Sequence, residues 1–123
     1  MRTVAYCDSS VREACYVIST GQVSTKHLVT YPERVTTNVG EYLALNHLLE
    51  SLELGGYKDV DIFSDSLLVV NQVSGLWRTR DPKLLPLRDK ARQILKKTNS
   101  TLSWIPREQN EAGIILEGRT PSK

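Results

Sequence analysis

The sequence predicts an α/β domain built on a mixed sheet, spanning residues 1–118 and followed by a disordered tail over 119–123. Three strand-like segments joined by short turns open the chain, which is typical of an antiparallel meander. Helical stripes then alternate with two further strands, so that the fourth strand can lie parallel to the first. The hydrophobic content of 40% and the charged content of 24% are those of an ordinary globular protein.

The three opening strands are predicted from their side-chain types. Residues 3–8 are almost all apolar, β-branched or aromatic, which indicates a strand buried on both faces, and this strand ends on Asp8. Residues 14–19 are rich in β-branched and aromatic side chains and form the second strand. Residues 23–31 alternate well enough for a third strand at the edge of the sheet, and Pro32 ends it.

The first helix is predicted between Asn38 and the Gly55-Gly56 pair. Asn38 lies three residues before Glu41, which matches an N-cap with a carboxylate at the third helical position. Leucines from Leu45 to Leu52 fall on one face, and Glu41 heads that same face.

Apolar spacing and the Gly and Pro positions predict the other elements. They are a strand over 60–64 that ends on Asp65, a short helix over 66–74, a longer helix that begins at Pro86, a strand over 101–105 and a last helix over 108–117.

Composition excludes some classes of protein. No apolar run approaches the roughly 20 residues of a membrane span, and the first residues lack signal-peptide features, so we expect a cytoplasmic protein. In that reducing compartment Cys7 and Cys15, both in strand-like segments, are expected to be buried thiols rather than a disulfide.

Positive charge is concentrated between residues 77 and 97. Eight basic and two acidic residues give this stretch a formal charge of +6, whereas the whole chain carries +2. A basic face on a nearly neutral protein suits a polyanionic partner, although a solvated helix face is an equally good explanation of charge alone.

Three carboxylates are predicted to meet at one edge of the sheet. Asp8 and Asp65 both end strands, and parallel neighbours would bring them together, while Glu41 can point to the same place from its helix. Taken alone, Asp8 also fits a turn-forming residue at a strand end. Clustered carboxylates select hard cations such as Mg²⁺ or Mn²⁺, and a pair of ions roughly 4 Å apart is the usual device for phosphodiester hydrolysis. Neither His27 nor His47 lies next to a candidate nucleophile, which weakens a Ser/His mechanism.

Several motifs together resemble the type 1 ribonucleases H over residues 2–117. The matching segments are residues 6–9, 37–45, 63–66, 72–77, 82–87 and 104–110. The resemblance implies a five-stranded mixed sheet of order 3-2-1-4-5 flanked by helices, and endonucleolytic cleavage of the RNA strand of RNA/DNA hybrids. It also implies that Asp8, Glu41 and Asp65 bind two divalent ions.

The sequence departs from that family in two places. The family usually has a fourth acid in an Ala-Asp pair at the start of the last helix, where this chain has Ala112-Gly113. Glu117, one helical turn further along, is the candidate replacement ligand, and an ordinary exposed helix residue is the alternative. The loop before the helix also lacks the family's histidine, for which Arg107 or Glu108 could substitute.

Candidate substrate contacts follow from the chemistry of a hybrid. Its 2′-hydroxyls lie in a wide minor groove that short amide and hydroxyl side chains suit, although Asn38 and Ser66 can equally be simple helix caps. The candidate contacts are Ser10, Thr37, Asn38, Ser66, Gln72, Arg78, Arg80 and Arg107. We expect a metal-dependent ribonuclease H, monomeric, with Mg²⁺ or Mn²⁺ as cofactor. The alternatives are a non-catalytic hybrid- or RNA-binding module and a junction resolvase or exonuclease of the same fold.

Overall fold

The computed structural model describes residues 2–119, and a five-stranded mixed sheet lies at its centre. The elements in chain order are β1 Thr3–Ser9, β2 Glu13–Thr20, β3 Val23–Thr30, α1 Thr37–Leu54, β4 Asp61–Ser64, α2 Leu67–Ser74, α3 Leu85–Thr98, β5 Thr101–Trp104, a 3₁₀ turn Arg107–Gln109 and α4 Glu111–Arg119. The strand order is β3-β2-β1-β4-β5, which confirms the predicted mixed sheet and the edge position of β3.

The central strand β1 determines where the carboxylates lie. It pairs antiparallel with β2 and parallel with β4, and Cys7 lies opposite Ser64 in the parallel pair. Asp8 is the next residue of β1 and Asp65 directly follows β4, so the two aspartates lie side by side. The predicted convergence of the two strand ends is therefore present in the fold.

Helices cover both faces of the sheet. On one face α1 buries a leucine stripe against the sheet, and α2 and α3 pack beside it. On the other face α4 packs Ala112 and Leu116 against Cys15 and Val17 of β2. Cys7 and Cys15 are both buried and free, as predicted. Within residues 2–119, no helix combines the length and apolarity needed to cross a membrane.

The start of α1 differs from the prediction. Thr36, and not Asn38, is the N-cap, because its side-chain oxygen accepts the amide hydrogen of Val39. Asn38 therefore lies within the first helical turn, where its side chain is exposed. Two residues later, Gly40 allows a close approach of the helix to β1, since a Cβ atom there would lie 2.6 Å from the Ser9 Oγ.

The last predicted helix is divided in the structure. The 3₁₀ turn ends at Gln109, and α4 begins at Glu111 after Asn110, whose side-chain oxygen accepts the amide hydrogen of Ala112. This side chain competes with a continuous helix because it satisfies an otherwise free amide in the first turn of α4. α4 ends at Arg119, one residue into the segment expected to be a tail, and residues 120–123 lie outside the described part.

Candidate active site

The carboxylates of Asp8, Glu41 and Asp65 form one cluster. One ligand oxygen from each lies within 4.8 Å of the others. Asp8 is only 4% exposed, and the other two side chains are partly buried. The strand β1, the chain after β4 and the second turn of α1 each supply one carboxylate, so the fold itself assembles the cluster.

The cluster is electrostatically unfavourable without a cation. The pKa of Asp8 is raised to about 6, mainly by burial and secondly by the charge of Asp65. The pKa of Glu41 is raised to about 9, mainly by burial and secondly by the charge of Asp8. Asp8 and Glu41 also share a hydrogen bond. The proton that they hold near neutral pH is therefore shared by the two carboxyl groups and is not assigned to either one. All the donor atoms of this site are oxygens, and they retain a proton because no counter-charge neutralises them. Such a site fits a hard divalent cation.

Two side chains that the sequence analysis did not single out hold Asp65 in place. The Asn110 amide donates to the Asp65 Oδ2 at 3.3 Å and to the Cys7 carbonyl at 3.0 Å, and Asn110 is fully buried. The Trp104 indole N–H donates to the Asp65 carbonyl at 3.1 Å, while its ring stays 47% exposed. An Asn directly before a helix is a sequence signal for a cap, but nothing local indicates the contact with Asp65.

Gly113 lies against the cluster. A Cβ atom at this position would lie 3.0 Å from the Asp8 Oδ2 and 3.6 Å from the Asp65 Oδ2. The resemblance to the family predicts a fourth acid at this position, where a Cβ atom would be in tight contact with the Asp8 carboxylate. Glu117 is exposed and is not part of the carboxylate cluster found among residues 2–119, so its role as a ligand stays a prediction.

Five of the candidate substrate contacts fall into three groups, which are exposed, hydrogen-bonded to the backbone, or buried. Thr37 and Asn38 are exposed in the first turn of α1, just ahead of Glu41, where a ligand could reach them. The hydroxyls of Ser10 and Ser66 accept backbone amide hydrogens, in a turn and at the cap of α2. Gln72 is only 6% exposed, and its side-chain oxygen accepts from the Tyr42 hydroxyl, so the structure does not bring it to a binding surface.

The candidate arginines are exposed. Arg78 and Arg80 lie in the loop between α2 and α3, and neither makes an ion pair or side-chain hydrogen bond within the described residues. Other basic residues of the +6 stretch are engaged, since Lys90 pairs with Glu50 and Arg92 donates to two carbonyls at the end of α2. The charge of Arg107 partly offsets the rise in the pKa of Asp8 and Glu41. This arginine is therefore within electrostatic reach of the cluster.

A β3-β2-β1-β4-β5 sheet with carboxylates at the ends of β1 and β4 and on α1 defines a ribonuclease H-like protein. A family model described as reverse transcriptase-like matches residues 8–116. The ribonuclease HI of Halobacterium salinarum is 38% identical over 84 residues, which are 68% of this chain and 42% of that protein. A bifunctional protein of Mycobacterium tuberculosis is 35% identical over 78 residues, which are 63% of this chain and 21% of that protein. The chain thus spans less than half the length of these curated relatives.

Solved structures show the same relationship over nearly the whole chain. The crystal structure of RNase H1 from Halobacterium salinarum has a TM-score of 0.80 and 30% identity, with 94% of each chain covered. LC11-RNase H1, solved in complex with an RNA/DNA hybrid, has a TM-score of 0.74 and 25% identity, with 89% of each chain covered. The chain belongs to the type 1 ribonuclease H family.

Proposed function

We propose that this protein is a metal-dependent endoribonuclease that cleaves the RNA strand of RNA/DNA hybrids. The observation that carries the proposal is the cluster of Asp8, Glu41 and Asp65, whose ligand oxygens lie within 4.8 Å of one another. Relatives named ribonuclease HI and RNase H1 support the reaction, and the hybrid bound to LC11-RNase H1 supports the substrate.

The three carboxylates would hold two divalent ions in this mechanism. When bound, Mg²⁺ or Mn²⁺ supplies an activated water for attack on phosphorus and stabilises the departing 3′-oxygen. The protein's own part is to bind and orient. Asp8 and Glu41 give up their shared proton as a cation binds, and Asn110 and Trp104 keep Asp65 in a fixed position. No side-chain nucleophile is needed.

Recognition of the hybrid is assigned to exposed polar and basic residues around the cluster. Thr37 and Asn38 suit the 2′-hydroxyls of the minor groove. Arg107 is exposed and its charge acts on Asp8 and Glu41, so it suits the phosphate that is cleaved. Arg78 and Arg80 follow α2, a helix of eight residues and therefore about 12 Å long, so they suit phosphates several nucleotides away from the cluster.

A cleavage assay with four labelled substrates, an RNA/DNA hybrid, duplex DNA, duplex RNA and a DNA junction, tests the proposal. We expect cleavage of the RNA strand of a hybrid, none of duplex DNA or duplex RNA, and complete inhibition by EDTA. Asp65→Asn should abolish cleavage, whereas Asp89→Asn, the same change at an exposed acid of α3, serves as a matched control for lost charge. Hybrid binding without cleavage would favour the non-catalytic module, and cleavage of junctions or free ends alone would favour a resolvase or an exonuclease.

The preferred metal is a separate part of the proposal. With Gly113 opposite Asp8, the cluster has three acids, and Mn²⁺ binds such incomplete oxygen sites more tightly than Mg²⁺. We therefore expect half-maximal cleavage at a lower concentration of Mn²⁺ than of Mg²⁺, and the reverse order would contradict this preference. A cytoplasmic location and a monomeric state remain predictions from the sequence.

A further inference from the structure

One buried hydroxyl contacts the chain beside two of the three carboxylates. Tyr31 directly follows β3 and is 7% exposed. Its hydroxyl lies 2.7 Å from the Ser9 Oγ and donates to the Gly40 carbonyl at 3.1 Å. Ser9 is the residue after Asp8, and Gly40 is the residue before Glu41. The tyrosine therefore links the end of β1 to the start of α1 at the two positions next to the ligands.

The end of β1 and the start of α1 are in close contact at this link, with no room for a side chain on Gly40. A Cβ atom on Gly40 would lie 2.6 Å from the Ser9 Oγ and 3.1 Å from the Ser10 carbonyl oxygen. The Ser9 Oγ also lies within hydrogen-bond distance of the carbonyls of Ser10 and Glu13. Each of the two hydroxyls has one proton and at least two acceptors within hydrogen-bond distance, so both are hydrogen-bonded at this link.

We propose that Ser9 and Tyr31 are positioning residues that set the separation of Asp8 and Glu41 and thereby the affinity of the cluster for divalent cations. The proposal rests on the proposed function, because it takes these two carboxylates as metal ligands. Metal sites need their ligands held within about 0.5 Å, and loss of an orienting partner typically lowers metal affinity 10- to 100-fold.

The chain contains a matched control for this idea. Tyr16 is also 7% exposed, and its hydroxyl lies 2.9 Å from the Ser51 Oγ, so it likewise links the sheet to α1 through a Tyr–Ser pair. Ser51, however, is ten residues after Glu41, which is about 15 Å along the helix. Tyr16→Phe therefore removes the same kind of bond without touching the segments beside the ligands.

The experiment measures Mn²⁺ binding by calorimetry, and melting in EDTA, for the whole chain and its variants. We expect Tyr31→Phe and Tyr16→Phe to lower the melting temperature by similar amounts, but only Tyr31→Phe to weaken Mn²⁺ binding, by about tenfold. Ser9→Ala removes the same pair from the other side and should weaken Mn²⁺ binding similarly, which keeps the test valid if Tyr31→Phe folds poorly.

The outcomes separate this proposal from the proposed function. Unchanged Mn²⁺ affinity in Tyr31→Phe and Ser9→Ala, with tight binding by the wild type, would overturn the positioning role alone. Equal losses of affinity in Tyr31→Phe and Tyr16→Phe would also overturn it, because general loosening of α1 would then explain both. A wild-type protein that binds Mn²⁺ but does not cleave hybrid would overturn the proposed function and leave the positioning of the ligands standing. A wild type without Mn²⁺ binding would overturn both.

Discussion

Replacing Asp8 by Asn should make the metal-free protein more stable while it abolishes cleavage of the hybrid. Asp8 is 4% exposed and lies between Glu41 and Asp65, so its charge is both poorly hydrated and repelled. Asn has the same shape but no charge. The substitution therefore removes a metal ligand and relieves the cost of assembling the cluster.

The size of the gain follows from the pKa of Asp8, which is raised from 3.8 to about 6. Two units correspond to about 3 kcal/mol. A buried amide still loses hydration, so we expect a net gain of about 1–3 kcal/mol, or roughly 5–10 °C in melting temperature for a domain of this size. An unfolded Asp titrates near pH 4 and the folded Asp8 near pH 6, so wild-type stability falls as the pH rises through that window. The gain should be small at pH 4 and complete above about pH 7.

Thermal melting at pH 4, 6 and 8 in EDTA tests this expectation, with a second series in Mn²⁺. Saturating metal stabilises only a protein that binds it, by about 4.1 kcal/mol at roughly 1,000 times the dissociation constant, which exceeds the expected gain, so Mn²⁺ should reverse the order of the two proteins. Asp89→Asn, on the exposed surface of α3, is the control and should change stability by less than about 0.5 kcal/mol at every pH. If Asp8→Asn melts at or below the wild-type temperature at pH 8 in EDTA, the carboxylates do not repel one another as described.

Three further outcomes are expected. Arg78→Gln and Arg80→Gln should each reduce, by about one, the magnitude of the slope of log binding constant against log salt for a hybrid. Lys26→Gln on the edge strand β3 is the control and should leave the slope unchanged. If filter-binding titrations give the arginine variants the wild-type slope, the loop between α2 and α3 does not contact phosphates. Gly113→Asp should destabilise the metal-free protein at pH 8 by about 1–3 kcal/mol, because its Cβ atom meets the Asp8 Oδ2 at 3.0 Å, and an unchanged melting temperature would refute the crowding. The ligand role predicted for Glu117 implies that Glu117→Gln lowers Mn²⁺ affinity about tenfold in calorimetry, and unchanged affinity would show that Glu117 is an ordinary exposed helix residue.

The parts of the fold that depend on local pattern could be predicted from the sequence. Strand β1 has an almost unbroken apolar pattern and α1 a long leucine stripe, so their types and the convergence of Asp8, Glu41 and Asp65 followed from general topology. The boundaries were less certain where several residues could cap the same helix. Thr36 and Asn38 both suit an N-cap, and only the path of the chain before α1 selects Thr36.

Contacts between residues distant in sequence could not be predicted in this way. Asn110 meets the Cys7 carbonyl across 103 positions, and Trp104 meets the Asp65 carbonyl across 39. Neither contact has a spacing rule, because it depends on how β5 and α4 pack against the central strands. The burial of Gln72 is of the same kind, since its partner Tyr42 lies on another helix.

The position of Gly113 changes the meaning of the missing acid. A Cβ atom at residue 113 would lie 3.0 Å from the Asp8 Oδ2, so an acid at this position would require the Asp8 carboxylate to shift. The charges nevertheless suit a hybrid substrate. Three ionised carboxylates carry three negative charges, so one divalent ion leaves the cluster at minus one and a second takes it to plus one. A phosphodiester brings one negative charge and restores neutrality. If two ions bind as proposed, then with Gly113 in place of an acid the phosphate of a hybrid would supply the charge that favours the second ion, and we expect binding of that ion and of the hybrid to be mutually favourable.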